Sequence, residues 1–565
     1  MAIEYTKEQQ LVIDLRGKNI LVSAAAGSGK TAVLSERIVN MVCDRDNPVD
    51  IDRLLVVTFT NAAAAEMKER VLVKLNERLL KEPDNDHIRR QTALVHSALI
   101  TTIDSFALYI LRNHFNEIGF EPDFKVADEN EGILLREQAG EEVIDEGLKD
   151  ENSGFSQMVD FLFPTGGVKD LESAMDDVLK QAEACVDPEE WLRKRLEDYE
   201  KYGNSDKIRS FILEDIEGQV KDIIEEIRVS LEDCEAPGGP TQYIENFKDD
   251  LRQLEEILEA TDTKQKAFLL ENINFTRLSG KKNPDVDPEI KERVQKTRDN
   301  YKKAVDKFKK LTVEFEVNEE ENSACAAHTA VFIKGVLEYR ARFMALKSEK
   351  KLVDFGDMEH FALKILYDKK DGKMVKSRVS REYATFFKEV LVDEYQDSNM
   401  VQEALLKAVT GEDFDISNYF CVGDVKQSIY RFRMADPTLF MDKYNTYKEE
   451  GDNIRIDLSA NFRSRETVVD TVNHIFENLM SKEKGGIEYD KNARLYAGLC
   501  YPEGEGFESE FYIVPNEMEG VKYKKAEAEI SFVAHKIKEL VRDGKVTDKN
   551  TGELRPVRYS DIVIL

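Results

Sequence analysis

The chain has 565 residues, 41% hydrophobic and 34% charged, with a formal net charge of −30 at pH 7. That is about two to four domains' worth of chain with a well-charged surface, and no apolar run approaches the roughly 18–20 residues that span a bilayer. The acidity weighs against a nucleic-acid partner only in bulk, because a nucleic-acid groove needs just a local lining of cations. Met1–Tyr5 has neither a basic stretch nor an apolar core, so no secretory signal is expected. Cys43, Cys185, Cys234, Cys325, Cys421 and Cys500 form no C-x-x-C pair, and the seven histidines form no metal-spaced cluster. Reduced thiols in a cytoplasm are expected.

In chain order, Asn19–Val22 is a short apolar run that predicts a strand, and Ala32–Val39 has helical apolar spacing. Between them lie Ala24, Ala25, Ala26, Gly27, Ser28 and Gly29, small residues that let backbone N–H groups approach phosphates at the positive end of a helix. Lys30 is placed to reach the β- and γ-phosphates, and the Thr31 hydroxyl to ligate Mg²⁺. Leu54–Thr60 predicts a buried strand and Ala62–Leu80 a helix. From about 126 to 350 the chain turns to long, charged helical segments, broken near Pro164–Gly167, Pro237–Pro240 and Gly280–Pro288. Lys281, Lys282, Lys302, Lys303 and the lysines from 307 to 310 are its one sizeable basic stretch. They suit either contact with duplex DNA or a solvated helix face paired with Glu289, Glu292 and Asp306. Strand signals return at Glu389–Val392, Tyr419–Val422 and Ile454–Asp457. Ser560–Leu565 also reads as a buried strand, and on that ground the chain is expected to be a fragment of a longer protein.

Asp393 and Glu394 directly follow the strand at 390–392, at the end of a strand where open α/β sheets bind ligands. Adjacent acids there divide the work: Asp393 holds Mg²⁺ and Glu394 polarises the attacking water. A solvated acidic turn is the plain alternative. After the strand at 419–422, Gln427 is placed to hydrogen-bond the γ-phosphate or that water. Tyr430, Phe432 and Arg433 follow with aromatic faces and a cation, and each stacked base is worth roughly 1–3 kcal/mol. Arg463, after the strand at 454–457, is a candidate arginine finger, although a surface salt bridge fits the spacing equally.

Taken together, these segments resemble the superfamily 1 DNA helicases of the UvrD/Rep type. The resemblance adds Tyr5–Gln9 as an adenine-reading motif with Gln9 as reader, and Phe462 as a ring on adenine where Tyr is more common. It identifies Thr58–Met67, with Phe59, Thr60 and Asn61, as a single-strand-binding motif. Thr101–Phe106, with Thr102, is similar to the next such motif, but the family usually has His where this chain has Asp104. Ala24–Ala26, Phe124–Asp128 and Gly423–Phe440 are similar to the corresponding segments of the helicase–nuclease component of bacterial AddAB complexes.

The resemblance implies an α/β P-loop NTPase with a RecA-like parallel-sheet motor domain (1–125 and 351–445), a large all-helical insertion (126–350) and a partial second RecA-like domain (446–565). It further implies ATP and Mg²⁺ as cofactors, 3′→5′ translocation on single-stranded DNA and unwinding of duplex DNA. Double-strand-break repair is the implied setting, with an AddB-type protein as heterodimeric partner and no membrane association. The later helicase motifs and a nuclease domain are expected beyond Leu565. A stand-alone repair helicase, a kinase-like or transport P-loop ATPase, and a DNA-binding scaffold without turnover remain as other readings.

Overall fold

A computed structural model describes residues 5–150, 154–200, 206–280, 284–317, 319–482, 487–502, 506–515, 517–518, 521–522, 524–548 and 551–565. Lys281 and Lys282 lie outside them. The chain divides into two compact units, one of Met1–Asp128, Glu183–Asp187 and Lys351–Leu565, the other of Glu129–Ala182 and Pro188–Lys350.

The first unit is built on six parallel strands: β1 (Asn19–Ala24), β2 (Leu54–Thr58), β3 (Leu99–Thr102), β4 (Glu389–Val392), β5 (Tyr419–Gly423) and β6 (Asn453–Leu458). Their order is β6-β1-β5-β4-β2-β3. Alternate side chains point to opposite faces, so each inner strand feeds two cores. Ile20, Val22, Val56, Leu391 and Phe420 join one core, with helices α1 (Lys7–Asp14), α2 (Lys30–Val42) and α3 (Asn61–Lys81). Leu21, Leu55, Val57, Val390 and Cys421 join the other, with α4 (Ile103–His114) and α5 (Phe355–Leu366). On the first face a fully buried Arg37 on α2 donates from Nε to Glu389 Oε2 at 2.9 Å and from Nη1 to the Val12 carbonyl. That one guanidinium ties α1, α2 and the start of β4 together, and removing either charge would leave the other buried and unpaired.

Two strand expectations change. The strand at 453–458, expected to open a second lobe, pairs in parallel with β1 from Asn19↔Asn453 to Ala24↔Leu458. Ile454, Ile456 and Leu458 enter the first sheet's core, while Arg455 and Asp457 lie half-buried on the opposite face, with the Arg455 guanidinium 4.2 Å from the Tyr444 ring. Ser560–Leu565, read as a buried strand, is exposed or half-exposed and not in a strand. A strand is made by a hydrogen-bonded neighbour, and none of the described strands runs beside this segment.

Among its described residues the second unit contains helices and no strand. Ile216, Val220, Phe247, Leu254, Tyr301 and Val305 form one of its cores. Within it Asp250 accepts two hydrogen bonds from Arg298, at 2.7 and 3.0 Å, and one from the Tyr301 hydroxyl at 2.6 Å. Burial, then the neighbouring Asp250 carboxylate, holds the Tyr301 phenol well above its usual range. Lys309 of the basic stretch donates to the Ile273 carbonyl. Among the described residues, no helix is long and apolar enough to cross a membrane.

Candidate nucleotide site and DNA-facing segment

The loop between β1 and α2 owes its shape to two glycines in the left-handed region, Gly27 at φ +73° and Gly29 at φ +81°. Both conformations are strained for any residue with a Cβ. Gly27 is needed for space as well, because a Cβ there would stand 2.7 Å from Asn461 Nδ2. Asn461 Nδ2 donates to the Ala26 carbonyl at 2.8 Å, and its Oδ1 accepts from the N–H groups of Arg463 (2.8 Å) and Ser464 (2.7 Å). Phe462 N–H donates to the Gly27 carbonyl at 2.8 Å, and Ala25 N–H to that of Leu458 at 2.9 Å. The segment after β6 is thus laid directly on the phosphate-type loop. The buried Ser28 hydroxyl has no hydrogen-bond partner among the described residues.

Thr6 and Gln9 form a capping box at the start of α1. The Gln9 amide also reaches the loop, with Nε2 donating to the Ser28 carbonyl at 2.9 Å. Beside it lies a cavity of about 250 Å³ lined by Thr6, Gln9, Ser28, Phe462, Lys491 and Asn492 among others. The Phe462 ring rests on Gly498, where a Cβ would come within 2.7 Å of it.

Across the sheet's C-terminal edge, Lys30 Nζ lies 2.6 Å from Glu394 Oε2. Asp393 N–H is held by the Val57 carbonyl at 2.9 Å, which fixes the carboxylates at the end of β4. Glu394 sits at φ +51°, a left-handed conformation that costs about 1–2 kcal/mol for a residue with a Cβ. Burial pushes the Asp393 carboxyl up to about 6, helped by the Glu394 charge and opposed by Lys30. Asp397 is pushed up to about 6 for the same reasons. Gln427 Nε2 donates to Asp424 Oδ2 at 2.8 Å. Thr31, the second residue of α2, is half-buried.

Three rings form a row on the neighbouring loops. Phe59 and Tyr430 have centroids 4.9 Å apart, and Tyr430 and Phe432 5.6 Å. Phe59 and Tyr430 are half-buried, whereas Phe432 is 74% exposed. Thr60 and Asn61 are exposed at the start of α3, where Thr60 Oγ1 accepts from Ala63 N–H at 3.1 Å. Thr102 is the last residue of β3. It is buried, and its hydroxyl donates to Ser105 Oγ at 2.9 Å and accepts from Ser105 N–H, so it caps α4. The Arg433 side chain lies outside the described residues. Among the described residues Arg463 joins the loop only through its backbone, its N–H on Asn461 and its carbonyl accepting from Tyr501, and its side chain is exposed.

Asp104 on α4 is hydrogen-bonded to the buried Glu359 of α5, which also accepts from Gln402 Nε2 at 3.0 Å. Burial, then the facing Asp104, pushes the Glu359 carboxyl up to about 8, and burial raises Asp104 as well. Two carboxyls in hydrogen-bond contact share a proton.

Asp424, Lys491 and Asn492 escape the sequence reading, since nothing in their residue type or spacing marks them. Asn461 alone had a signal, its position just ahead of Phe462 and Arg463.

Residues 5–448 match the family model of the UvrD/REP helicase N-terminal domain. The whole chain is 38% identical to proteins from Bacillus cytotoxicus, Bacillus thuringiensis and Bacillus anthracis, each named as the A subunit of an ATP-dependent helicase/nuclease. It covers 47% of each of them, so the chain spans about half the length of these curated relatives. By the span of that family match, the chain belongs to the UvrD/REP helicase family.

Proposed function

We propose that this chain is the ATP-hydrolysing part of a motor that moves along single-stranded DNA and unwinds duplex. The observation that carries this is the contact between Lys30 and Glu394, which joins a phosphate-type loop to a carboxylate at the C-terminal edge of a parallel sheet. The neighbouring row of Phe59, Tyr430 and Phe432 supports a sequence-independent stacking platform.

In this reading the N–H groups of Ala25 to Thr31 cradle the phosphates of ATP, and Lys30 leaves Glu394 for the β- and γ-oxygens. Glu394, so released, orients and deprotonates the attacking water. Gln427 senses the γ-phosphate, and Arg463 reaches it from the segment after β6. Gln9 and Phe462 hold adenine in the cavity between them. Thr31 and Asp393 offer hard oxygen donors that fit Mg²⁺, and the buried Asp393 carboxylate gains from a dication beside it. When bound, that ion neutralises charge on the β- and γ-phosphates. Phe59, Thr60, Asn61, Tyr430 and Phe432 face the DNA strand, and Arg433 is assigned to the same contact from its place in the sequence.

The name carried by the similar Bacillus proteins supports membership of a helicase–nuclease complex. On that basis we assign 3′→5′ polarity, an exonuclease activity and an AddB-type partner in the complete protein, a double-strand-break repair role, and the cytoplasm. The domain layout that goes with it is a first motor lobe interrupted by the helical unit, and a second lobe beginning after β6.

The test is ATP hydrolysis with and without oligo(dT), followed by displacement from duplexes with 3′ or 5′ tails. Stimulation by single strands with a 3′-tail preference is expected. Hydrolysis indifferent to DNA would favour an ordinary P-loop ATPase.

A further inference from the structure

Gln396 links the two halves of this site. It is 2% exposed, between the candidate base and the strand-facing loop in sequence and in space. Its Nε2 donates to Glu394 Oε2 at 2.9 Å and to Asp397 Oδ2 at 3.2 Å. Its Oε1 accepts the Asp424 N–H at 2.9 Å. Both donors of the amide therefore meet carboxylates and its acceptor meets a backbone N–H. The opposite flip would turn the oxygen on two anions, so the orientation is determined. The approach depends on a glycine, because a Cβ at Gly423 would stand 2.3 Å from Gln396 Oε1. Beyond Gln396 the connection continues: Asp424 Oδ2 accepts from Gln427 Nε2 at 2.8 Å, and its Oδ1 pairs with Lys426 Nζ at 2.8 Å. Ser428 Oγ returns to the Gln396 carbonyl at 3.4 Å. Tyr430 and Phe432 stand two and four residues further on.

Lys30 and Gln396 thus both hold the same oxygen of Glu394. We propose that Gln396 is a positioning residue that makes nucleotide binding and single-strand binding interdependent. When Lys30 turns to a phosphate, Glu394 loses a partner and its remaining hydrogen bond to Gln396 changes. Gln396 then passes that change to the backbone of Asp424, and so to the loop bearing Gln427, Tyr430 and Phe432. The inference rests on the proposed ATP and DNA sites.

The experiment measures the affinity of fluorescent oligo(dT) with and without a non-hydrolysable ATP analogue and Mg²⁺. It uses wild-type protein, Gln396→Leu and Gln396→Asn, each checked for folding by circular dichroism. In wild type the nucleotide should change the oligo(dT) affinity by roughly 5-fold or more. Gln396→Asn keeps the amide but is one methylene too short to span Glu394 and Asp424, so it and Gln396→Leu should reduce that factor to below about 2-fold. Each ligand should still bind alone. Should Gln396→Leu not fold, Gly423→Ala, which crowds Gln396 out, should give the same loss. A wild-type factor preserved in a folded Gln396 variant overturns the positioning role while leaving both sites standing. A wild-type protein that binds both ligands without interdependence overturns the inference alone, and one that binds neither overturns the proposed sites with it.

Discussion

The amide of Asn461 occupies the space that any side chain on Gly27 would need, with Nδ2 only 2.7 Å from an ideal Cβ. The phosphate-type loop and the segment after β6 are therefore fitted to each other, and the fit admits only glycine. Gly27→Ala meets both this clash and a φ of +73°. The backbone cost alone is about 1–2 kcal/mol. We expect a lower melting temperature and at least ~10-fold weaker binding of a fluorescent ATP analogue. Asn461→Ala should also weaken binding, since it releases the Ala26 carbonyl and the N–H groups of residues 463 and 464. Unchanged affinity in both variants would count against the loop as the nucleotide site.

Glu394→Gln keeps the shape of the side chain and removes its charge. ATP affinity should persist while hydrolysis in the full-length protein falls by ~10²–10⁴-fold, the range for loss of a general base. Lys30→Ala should abolish measurable nucleotide binding. Phosphate-release kinetics and equilibrium titration separate the two effects. Near-normal turnover in Glu394→Gln would remove Glu394 from the base role.

Phe432 is the most exposed ring of the aromatic row and does not line the nucleotide cavity. Phe432→Ala should weaken oligo(dT) and oligo(dA) alike by roughly 1–3 kcal/mol, with ATP affinity unchanged. Fluorescence anisotropy at one fixed salt concentration is the measurement. A loss confined to one base composition would contradict simple stacking.

The Asp104–Glu359 pair makes stability depend on pH in a stated direction. The Glu359 carboxyl is raised to about 8 in the folded chain by burial and by Asp104, against ~4.3 for an unperturbed glutamate. The folded state therefore binds the extra proton. Its contribution is fully present below about pH 4 and is lost as pH rises through about 8. Glu359→Gln stays neutral throughout. Its melting temperature should gain on wild type by several degrees at about pH 9 and by little at about pH 5. Parallel melting curves of the two proteins across that range would contradict the assignment.

The local parts of this site are legible in the residues themselves. The β1–loop–α2 passage shows its small residues, lysine and threonine in one run, and Asp393 and Glu394 stand directly after an apolar strand. In both cases the chemistry depends on chain neighbours. The structure changes the reading where the partner is remote. Gln396, Asp424 and Asn461 are ordinary polar residues until the fold sets each against a segment at least 28 positions away.

From its sequence alone this protein is determined to have a phosphate-type loop, a strand ending in two carboxylates and a long helical stretch between them, because propensity and local spacing act over a few residues. Only the tertiary structure decided that β6 closes the first sheet beside β1, that Lys30 meets Glu394, and that a glutamine spans the candidate base and the aromatic loop. Parallel strands have no local partner. Their order is settled by which faces can be buried together, and that order brings residues hundreds of positions apart within hydrogen-bond distance.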